Sequence, residues 1–452
     1  MEKVLRFFEK YFISKSLYRL GQPIYHFLMA FFAVLIYGFP SKKMIVIGVT
    51  GTKGKSTTCY LIAQILEAAG FKTGMATTVL FKIGEKEWIN DSKQTMLGRF
   101  QLQKLLKEMV NAGCLYAVIE TSSEGILQYR HRFIDYDIVV FTNLSPEHIE
   151  RHGSFENYQS AKIRLFEKVA QKSDGVGVYN LDDENVKFFL EPKISQQHLY
   201  ALKFKKMTGG IQNLYKITDI KSKKRGTSFL FNNEKFGMSL IGEFNIYNAA
   251  GAICVALSQG ISMEKIKTAL SQVKAPPGRF EVVDKGQDFT VIIDYAHEPA
   301  SLEAVYKAAG KLKTSAIGGS AKGGKNSKLI CLLGGQGGGR DKWKRPKMGE
   351  IALKYCDKII LTNEDPYDEN PLQIINDIES GLLKIKNIYK IINRKEAIRR
   401  ALSLAKKGDI VILTGKGGEV WMCVKNEKKI PWDERKIVEE ILNENKKRGD
   451  LE

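Results

Sequence analysis

Residues 44–66 read MIVIGVTGTKGKSTTCYLIAQIL, and few local sequences restrict a fold so strongly. Met44 to Val49 is a short apolar run rich in β-branched side chains, the pattern of a strand buried on both faces. Gly51 and Gly54 permit a tight turn, and the apolar residues from Tyr60 to Leu66 recur at helical spacing. A helix whose N-terminus meets a glycine-rich turn offers N–H groups and the positive end of its dipole, which together hold phosphate. In such a turn Lys55 reaches the outer phosphates and the Ser56 hydroxyl sits on Mg²⁺. The spacing departs from the common loop: Gly48 lies one residue too early, and Val49 occupies the position expected of the first glycine.

The rest of the chain extends this beginning into an α/β pattern. YAVIETSS (116–123) and IVVFTNLS (138–145) read as further buried strands that end in polar residues. In parallel sheets ligands bind beyond the carboxyl ends of strands, so Glu120, Thr121, Asn143 and His148 are expected to converge on the phosphate loop. Residues 200–240 alternate in short runs with Lys-rich turns, an antiparallel insertion, and 242–257 returns to a helix. KAPPGRFE (274–281) breaks the pattern and marks a boundary and a hinge. Beyond it TVIIDYAH (290–297), LICLLGG (329–335), KIILTNED (358–365) and DIVILTGKGG (409–418) form a second strand series, with a Gly/Ser/Lys loop at 310–328. The expected architecture is therefore a phosphate-loop parallel-sheet body followed by a Rossmann-like α/β body. The borders fall at 1–43 for a hydrophobic helical segment, 44–275 for the central body and 276–452 for the C-terminal one.

Composition adds limits. The chain has 452 residues, 44% hydrophobic, which is ample for two cores. Its 70 Lys and Arg against 50 Asp and Glu suit anionic ligands or surfaces, but no aromatic-basic signature of nucleic-acid binding accompanies them. The cysteines, Cys59, Cys114, Cys254, Cys331, Cys356 and Cys423, are far apart and form no CxxC pair, so the expectation is buried free thiols in a reducing cytoplasm. Ile24 to Tyr37 (IYHFLMAFFAVLIY) is too short to span a bilayer and lacks the cleavage site of a signal peptide. It reads as a helix that either docks on the body or lies at a membrane surface.

Three groups carry chemistry. Glu120, at a strand end, could complete the oxygen shell of a Mg²⁺ already held by Ser56. His148 and His152 share a face if their segment is helical, although Ile149 rules out the zinc-protease pattern. Lys162 lies nearby in SAKIRLF.

The segments GVTGTKGKST, ETSS, TNLSPEHIERHGSFENYQSAKIRLF, GEFNIYNAAGA, PPGRFE, DYAHEPASLE, GGQGGGRDKWKRPKMG, TNEDPYDENP and TGKGGE stand in this order. Together they resemble the Mur ligases, most of all the branch that adds the third residue of the peptidoglycan stem peptide. The resemblance implies ATP-driven activation of a peptide carboxylate and attack by the amine of a free amino acid. It places ATP against Gly51, Thr52, Gly54, Lys55, Ser56 and Thr57, with Asn248 on adenine and Arg279 and Asp294 on phosphate or ribose. It assigns Mg²⁺ to Ser56, Glu120, His148 and a carbamylated Lys162, and makes Lys55, Lys162 and His148 the catalytic set. Ser122, Arg130, His152, Arg340, Asp365 and Glu419 would face the muramoyl-peptide or the amino acid, with Arg340 on the latter's carboxylate.

The sequence departs from that family in places. Only 43 residues precede Met44, where the family has a uridine-binding domain; the expectation is either a lipid-linked precursor or a UDP-linked one with the apolar helix replacing part of that domain. Glu124 replaces a histidine, Lys53 an asparagine, and Tyr367 the arginine of the diaminopimelate-selecting motif, which leaves diaminopimelate, lysine or a similar amine as the added residue. A folate or poly-amino-acid ligase and a phosphate-loop NTPase without ligase activity are the alternatives.

Overall fold

A computed structural model describes residues 15–147, 149–203, 213–223, 226–314, 327–339, 341–382 and 387–447. The chain forms two compact units. One runs to Tyr215 and includes Gly251–Ile266; the other comprises Lys216–Ala250 and the chain from Lys267 onward.

The first unit is built on strands β1 (Ile45–Thr50), β2 (Thr73–Ala76), β3 (Leu80–Ile83), β4 (Lys86–Ile89), β5 (Tyr116–Glu120), β6 (Ile138–Phe141), β7 (Val176–Asn180) and β8 (Gln196–Ala201). Their order is β8-β7-β6-β1-β5-β2-β3-β4, parallel from β8 to β2 and antiparallel at β3 and β4. Strand β1 lies between β5 and β6, so the turn that follows it opens at the point where strand order reverses. Val46, Ile47 and Val49 are fully buried, as a strand covered on both faces requires. Gly48 belongs to this strand rather than to the loop: an added Cβ would lie 2.8 Å from the Tyr136 ring. The strands β2 to β4, only four residues each, had no counterpart in the sequence reading.

The apolar N-terminal segment forms the helix Lys15–Tyr37, which packs on the helix Arg99–Asn111. Ala30, Ala33 and Val34 are its buried face. Among the described residues no helix is long and apolar enough to cross a membrane.

In the second unit β9 (Asn213–Lys223), β10 (Gly226–Phe231) and β11 (Glu234–Met238) form the expected antiparallel meander. A six-stranded sheet follows, from β12 (Glu281–Val283), β13 (Thr290–Ile293), β14 (Leu329–Leu333), β15 (Lys358–Thr362), β16 (Ile388–Ile391) and β17 (Ile410–Leu413). Its order is β12-β13-β17-β14-β15-β16, parallel except for β12. The loop expected at 310–328 lies outside the described residues between 315 and 326.

The cysteine expectation needs correction. Cys331 on β14 and Cys356 just before β15 form a disulfide, with Cα atoms 6.0 Å apart. The crossover helix Lys344–Tyr355 returns the chain to the strand beside β14, so residues 25 apart in sequence become neighbours. Cys59, Cys114, Cys254 and Cys423 are free and buried, as expected.

Buried ionisable residues gather at the carboxyl ends of these strands. Arg394 and Glu434 are fully buried and paired, and the guanidinium also donates to the carbonyls of Thr414 at 2.7 Å and Asn363 at 3.2 Å. Glu364 is likewise buried, and neither of its carboxylate oxygens has a hydrogen-bond partner among the described residues. Burial, partly countered by Arg394, raises its pKa to about 7.

Replacing Arg394 by Met strands the Glu434 carboxylate, and denaturant unfolding should register a loss of about 3–5 kcal/mol. Glu364 behaves differently. Its folded pKa exceeds the unfolded value, so its contribution to stability is complete below the ordinary carboxylate range and is lost as pH rises through about 7. Glu364→Gln should therefore change little at about pH 5 and stabilise by on the order of 3 kcal/mol at about pH 8.5 in urea titrations.

Candidate functional site

The turn after β1 leads into the helix Lys55–Ala68. Gly54 caps this helix in the left-handed region (φ 81°) and has no side chain to bond its first N–H groups. Gly51 is also required: at φ 147° an added Cβ would lie 2.0 Å from Thr142 Oγ1. The loop is clamped from beneath β6. Thr142 Oγ1 and Asn143 Nδ2 donate to the Lys53 carbonyl at 2.7 and 3.0 Å, and the Lys53 N–H donates to Asn143 Oδ1 at 2.9 Å. Thr52 Oγ1 contacts Tyr158 Oη at 3.0 Å and accepts from the Ser145 N–H at 3.0 Å. Lys55 Nζ donates to the Thr52 carbonyl at 2.9 Å, and Thr57 is buried in the first helical turn.

Glu120 ends β5 in register with Val49, which sets its carboxylate beside the loop. Its Oε2 accepts from Ser56 Oγ at 2.7 Å and from the Thr78 N–H at 2.8 Å. Two hard oxygen donors thus meet in a buried corner next to the helix N-terminus, a donor set that suits Mg²⁺.

Lys162 comes from the helix Phe155–Val169, whose N-cap Ser154 accepts from the Asn157 N–H. The side chain is 1% exposed, and Nζ donates to the Gly51 carbonyl at 2.9 Å and lies 4.7 Å from the centre of the Tyr158 ring. Burial first, then the neighbouring Lys55 cation, depress its pKa well below the usual lysine value, against the opposing pull of Glu147 and Glu120. The amine is therefore biased toward its neutral, nucleophilic form.

Other expected residues divide. Asn143 reaches the loop, but Thr121 turns away: its Oγ1 contacts Tyr136 Oη at 3.3 Å. His152 is buried, with Nε2 3.1 Å from Ser123 Oγ and its ring edge-on to Tyr158. Ser122 caps the short helix Ser123–Leu127, and Arg130 bonds the Met96 carbonyl together with Gln94 and Gln128. His148 and Arg340 lie outside the described residues. Lys53, unexpected in the loop, pairs with Glu147 at 2.8 Å.

In the second unit a connected polar cluster lies beyond β13, β15 and β17. Lys416 Nζ, fully buried, donates to Asp365 Oδ1 at 2.9 Å, to Glu419 Oε2 at 2.6 Å and to the Trp421 carbonyl at 2.6 Å. Asp365 also accepts from the Cys423 N–H at 2.7 Å. Glu419 Oε1 accepts from Tyr295 Oη at 3.1 Å, and the Arg279 guanidinium stacks 4.5 Å from the Tyr295 ring. Asp294 accepts from the N–H groups of Phe280 and Ala296, both at 2.7 Å, so it holds the turn that carries Arg279. Asn248 donates to Asn245 Oδ1 at 3.0 Å. Four residues singled out from the sequence, Arg279, Asp294, Asp365 and Glu419, thus gather in one neighbourhood. Lys416 and Glu364 were missed, although both stand inside the quoted segments TGKGGE and TNEDPYDENP.

Comparison with known proteins supplies the family. Residues 49–256 match the Mur ligase middle domain, and residues 278–417 match the Mur ligase, glutamate ligase domain. The chain is 38% identical over 420 residues to the UDP-N-acetylmuramoyl-L-alanyl-D-glutamate--2,6-diaminopimelate ligase of Syntrophomonas wolfei, covering 92% of this chain and 81% of that protein. It is 36% identical over 423 residues to the UDP-N-acetylmuramyl-tripeptide synthetase of Roseiflexus, covering 89% and 79%. A solved structure of a UDP-N-acetylmuramoyl-L-alanyl-D-glutamate--2,6-diaminopimelate ligase superposes with a TM-score of 0.60 at 28% identity, over 89% of this chain and 79% of that one. The folylpolyglutamate synthase of Mycobacterium tuberculosis shares the fold, with a TM-score of 0.66 at 15% identity over 86% of this chain and 92% of that one. Identity of this extent, spread over both units, leaves one conclusion: the chain belongs to the Mur ligase family.

Proposed function

We propose that the chain is an ATP-dependent, ADP-forming ligase that adds an amino acid to a muramoyl-peptide precursor in peptidoglycan synthesis, as the third stem-peptide residue. The observation that carries this reading is the meeting of Ser56, Glu120 and Lys162 around one phosphate loop, in a chain 38% identical to a named diaminopimelate ligase. In this reading the loop and Lys55 hold the ATP phosphates while the γ-phosphoryl group passes to the terminal carboxylate of the precursor. The amine of the amino acid then attacks the acyl phosphate, the C–N bond forms and phosphate leaves. Mg²⁺, held by Ser56 and Glu120 with His148, would neutralise charge on the phosphates.

Lys162 has its own step. Its neutral amine adds to CO₂ through a new N–C bond and releases one proton, so a buried neutral amine becomes an anion that suits a metal site. Asn248, Arg279 and Asp294 are proposed to contact the nucleotide. Ser122, Arg130, His152, Arg340, Asp365 and Glu419 are proposed to contact the precursor or the amino acid. Asp365 and Glu419 flank a single lysine, an arrangement that favours a substrate bearing a distal amine, diaminopimelate or lysine. The same proposal divides the chain at 43 and 275 into an N-terminal segment, an ATP-binding body and an amino-acid-binding body. It places the enzyme in the cytoplasm, at the membrane surface through residues 24–37, with a UDP-linked or lipid-linked precursor.

ADP release measured with UDP-muramoyl-dipeptide and a panel of amino acids should depend on which amino acid is supplied. Equal release with all of them, or with none, would support the NTPase alternative instead. Ser56→Ala and Lys162→Ala should each lower the amino-acid-dependent rate by on the order of 10²–10³-fold, while their unfolding midpoints show that the fold persists.

A further inference from the structure

The helix Lys15–Tyr37 buries one stripe and exposes another. Ile24 and Ile36 are 65% and 68% exposed, and Leu28, Phe32 and Leu35 between them are also open to solvent. These positions recur at three- and four-residue spacing, so they form one continuous apolar face of the helix. A shallow groove of about 270 Å³, lined by Pro23, Ile24, Phe27, Leu28, Tyr129 and Arg132, runs into this face. A contiguous exposed apolar surface of this kind marks an interaction site.

Charge identifies the occupant. The exposed Arg132 stands at the groove, with its guanidinium 5.4 Å from the centre of the Phe27 ring, and the exposed Lys42 and Lys43 follow the helix. The sequence has no acidic residue between Glu9 and Glu67, while residues 1–20 hold Lys3, Arg6, Lys10, Lys15 and Arg19 against Glu2 and Glu9. An apolar face on a helix that itself carries no acid, with exposed cations beside it, complements acyl chains beneath anionic headgroups. Among the described residues no helix is long and apolar enough to cross a membrane, and a helix with one apolar face and one face packed on the protein suits the interface plane.

We infer that this outer face docks the protein on an anionic phospholipid surface, with the apolar stripe inserted among the acyl chains and Arg132, Lys42 and Lys43 at the phosphates. This deepens the membrane-surface association proposed above and does not depend on the ligase chemistry.

The test is flotation of the full chain with phosphatidylcholine vesicles and with vesicles that also contain phosphatidylglycerol. Binding should be at least about tenfold stronger to the anionic vesicles and should weaken at high salt. The Ile24→Glu/Ile36→Glu double variant and, separately, Arg132→Glu should each lose vesicle binding at least about tenfold while keeping wild-type ADP release and melting temperature. Equal binding to both vesicle types, no binding by the wild type, or binding that survives both variants would overturn the proposal. So would concentration-dependent dimerisation abolished by the double variant without vesicle binding, which would assign the face to a second copy. Vesicle binding without amino-acid-dependent ADP release would sink the ligase reading alone, and the reverse result would sink only the docking.

Discussion

A lysine amine held in a dry pocket against a backbone carbonyl is a costly arrangement, and the first unit is organised around one. Lys162 Nζ meets the Gly51 carbonyl, the same residue whose backbone turns the chain out of β1. The contact ties the helix Phe155–Val169 to the phosphate loop, and Tyr158 on that helix reaches Thr52 as well. Desolvation and the nearby Lys55 disfavour the ammonium. Under the proposed function, this is the environment in which an amine reacts in its neutral form.

The second unit solves a related problem with different means. Its parallel strands end together, and the polar residues that follow them must be buried against one another. Arg394 is matched by Glu434, and Lys416 by Asp365 and Glu419, so each buried cation has a carboxylate within hydrogen-bond distance. Glu364 is the exception, with no direct partner among the described residues, and it sits against Gly415, where an added Cβ would lie 2.4 Å from its Oε2. Two carboxylates, Asp365 and Glu419, share the one ammonium of Lys416.

How much of this was legible in the sequence depended on distance along the chain. The strand, turn and helix of residues 44–66 are local, and their pattern sufficed to locate the loop. The strand ends carrying Glu120 and Asn143 could be placed because parallel sheets gather their carboxyl ends on one edge. Lys162 lies 111 residues from Gly51, and only the resemblance to a family pointed to it. The Cys331–Cys356 bond was invisible because it depends on which strands become neighbours after a crossover. Thr121 was misread because a strand-end hydroxyl has two directions to face, and the buried Tyr136 captured it. Strands β2 to β4 were missed because four residues are too few to show an alternation. The N-terminal helix was recognised, but which of its stripes would be covered required the helix Arg99–Asn111 against which it packs.

The most direct test of the account is the chemical state of Lys162. After equilibration of the protein with isotopically labelled bicarbonate, carbon NMR should show a carbamate resonance that is absent from Lys162→Ala. The absence of that resonance from the wild type, together with a Lys162 amine titrating at the ordinary lysine value of 10.5, would contradict it.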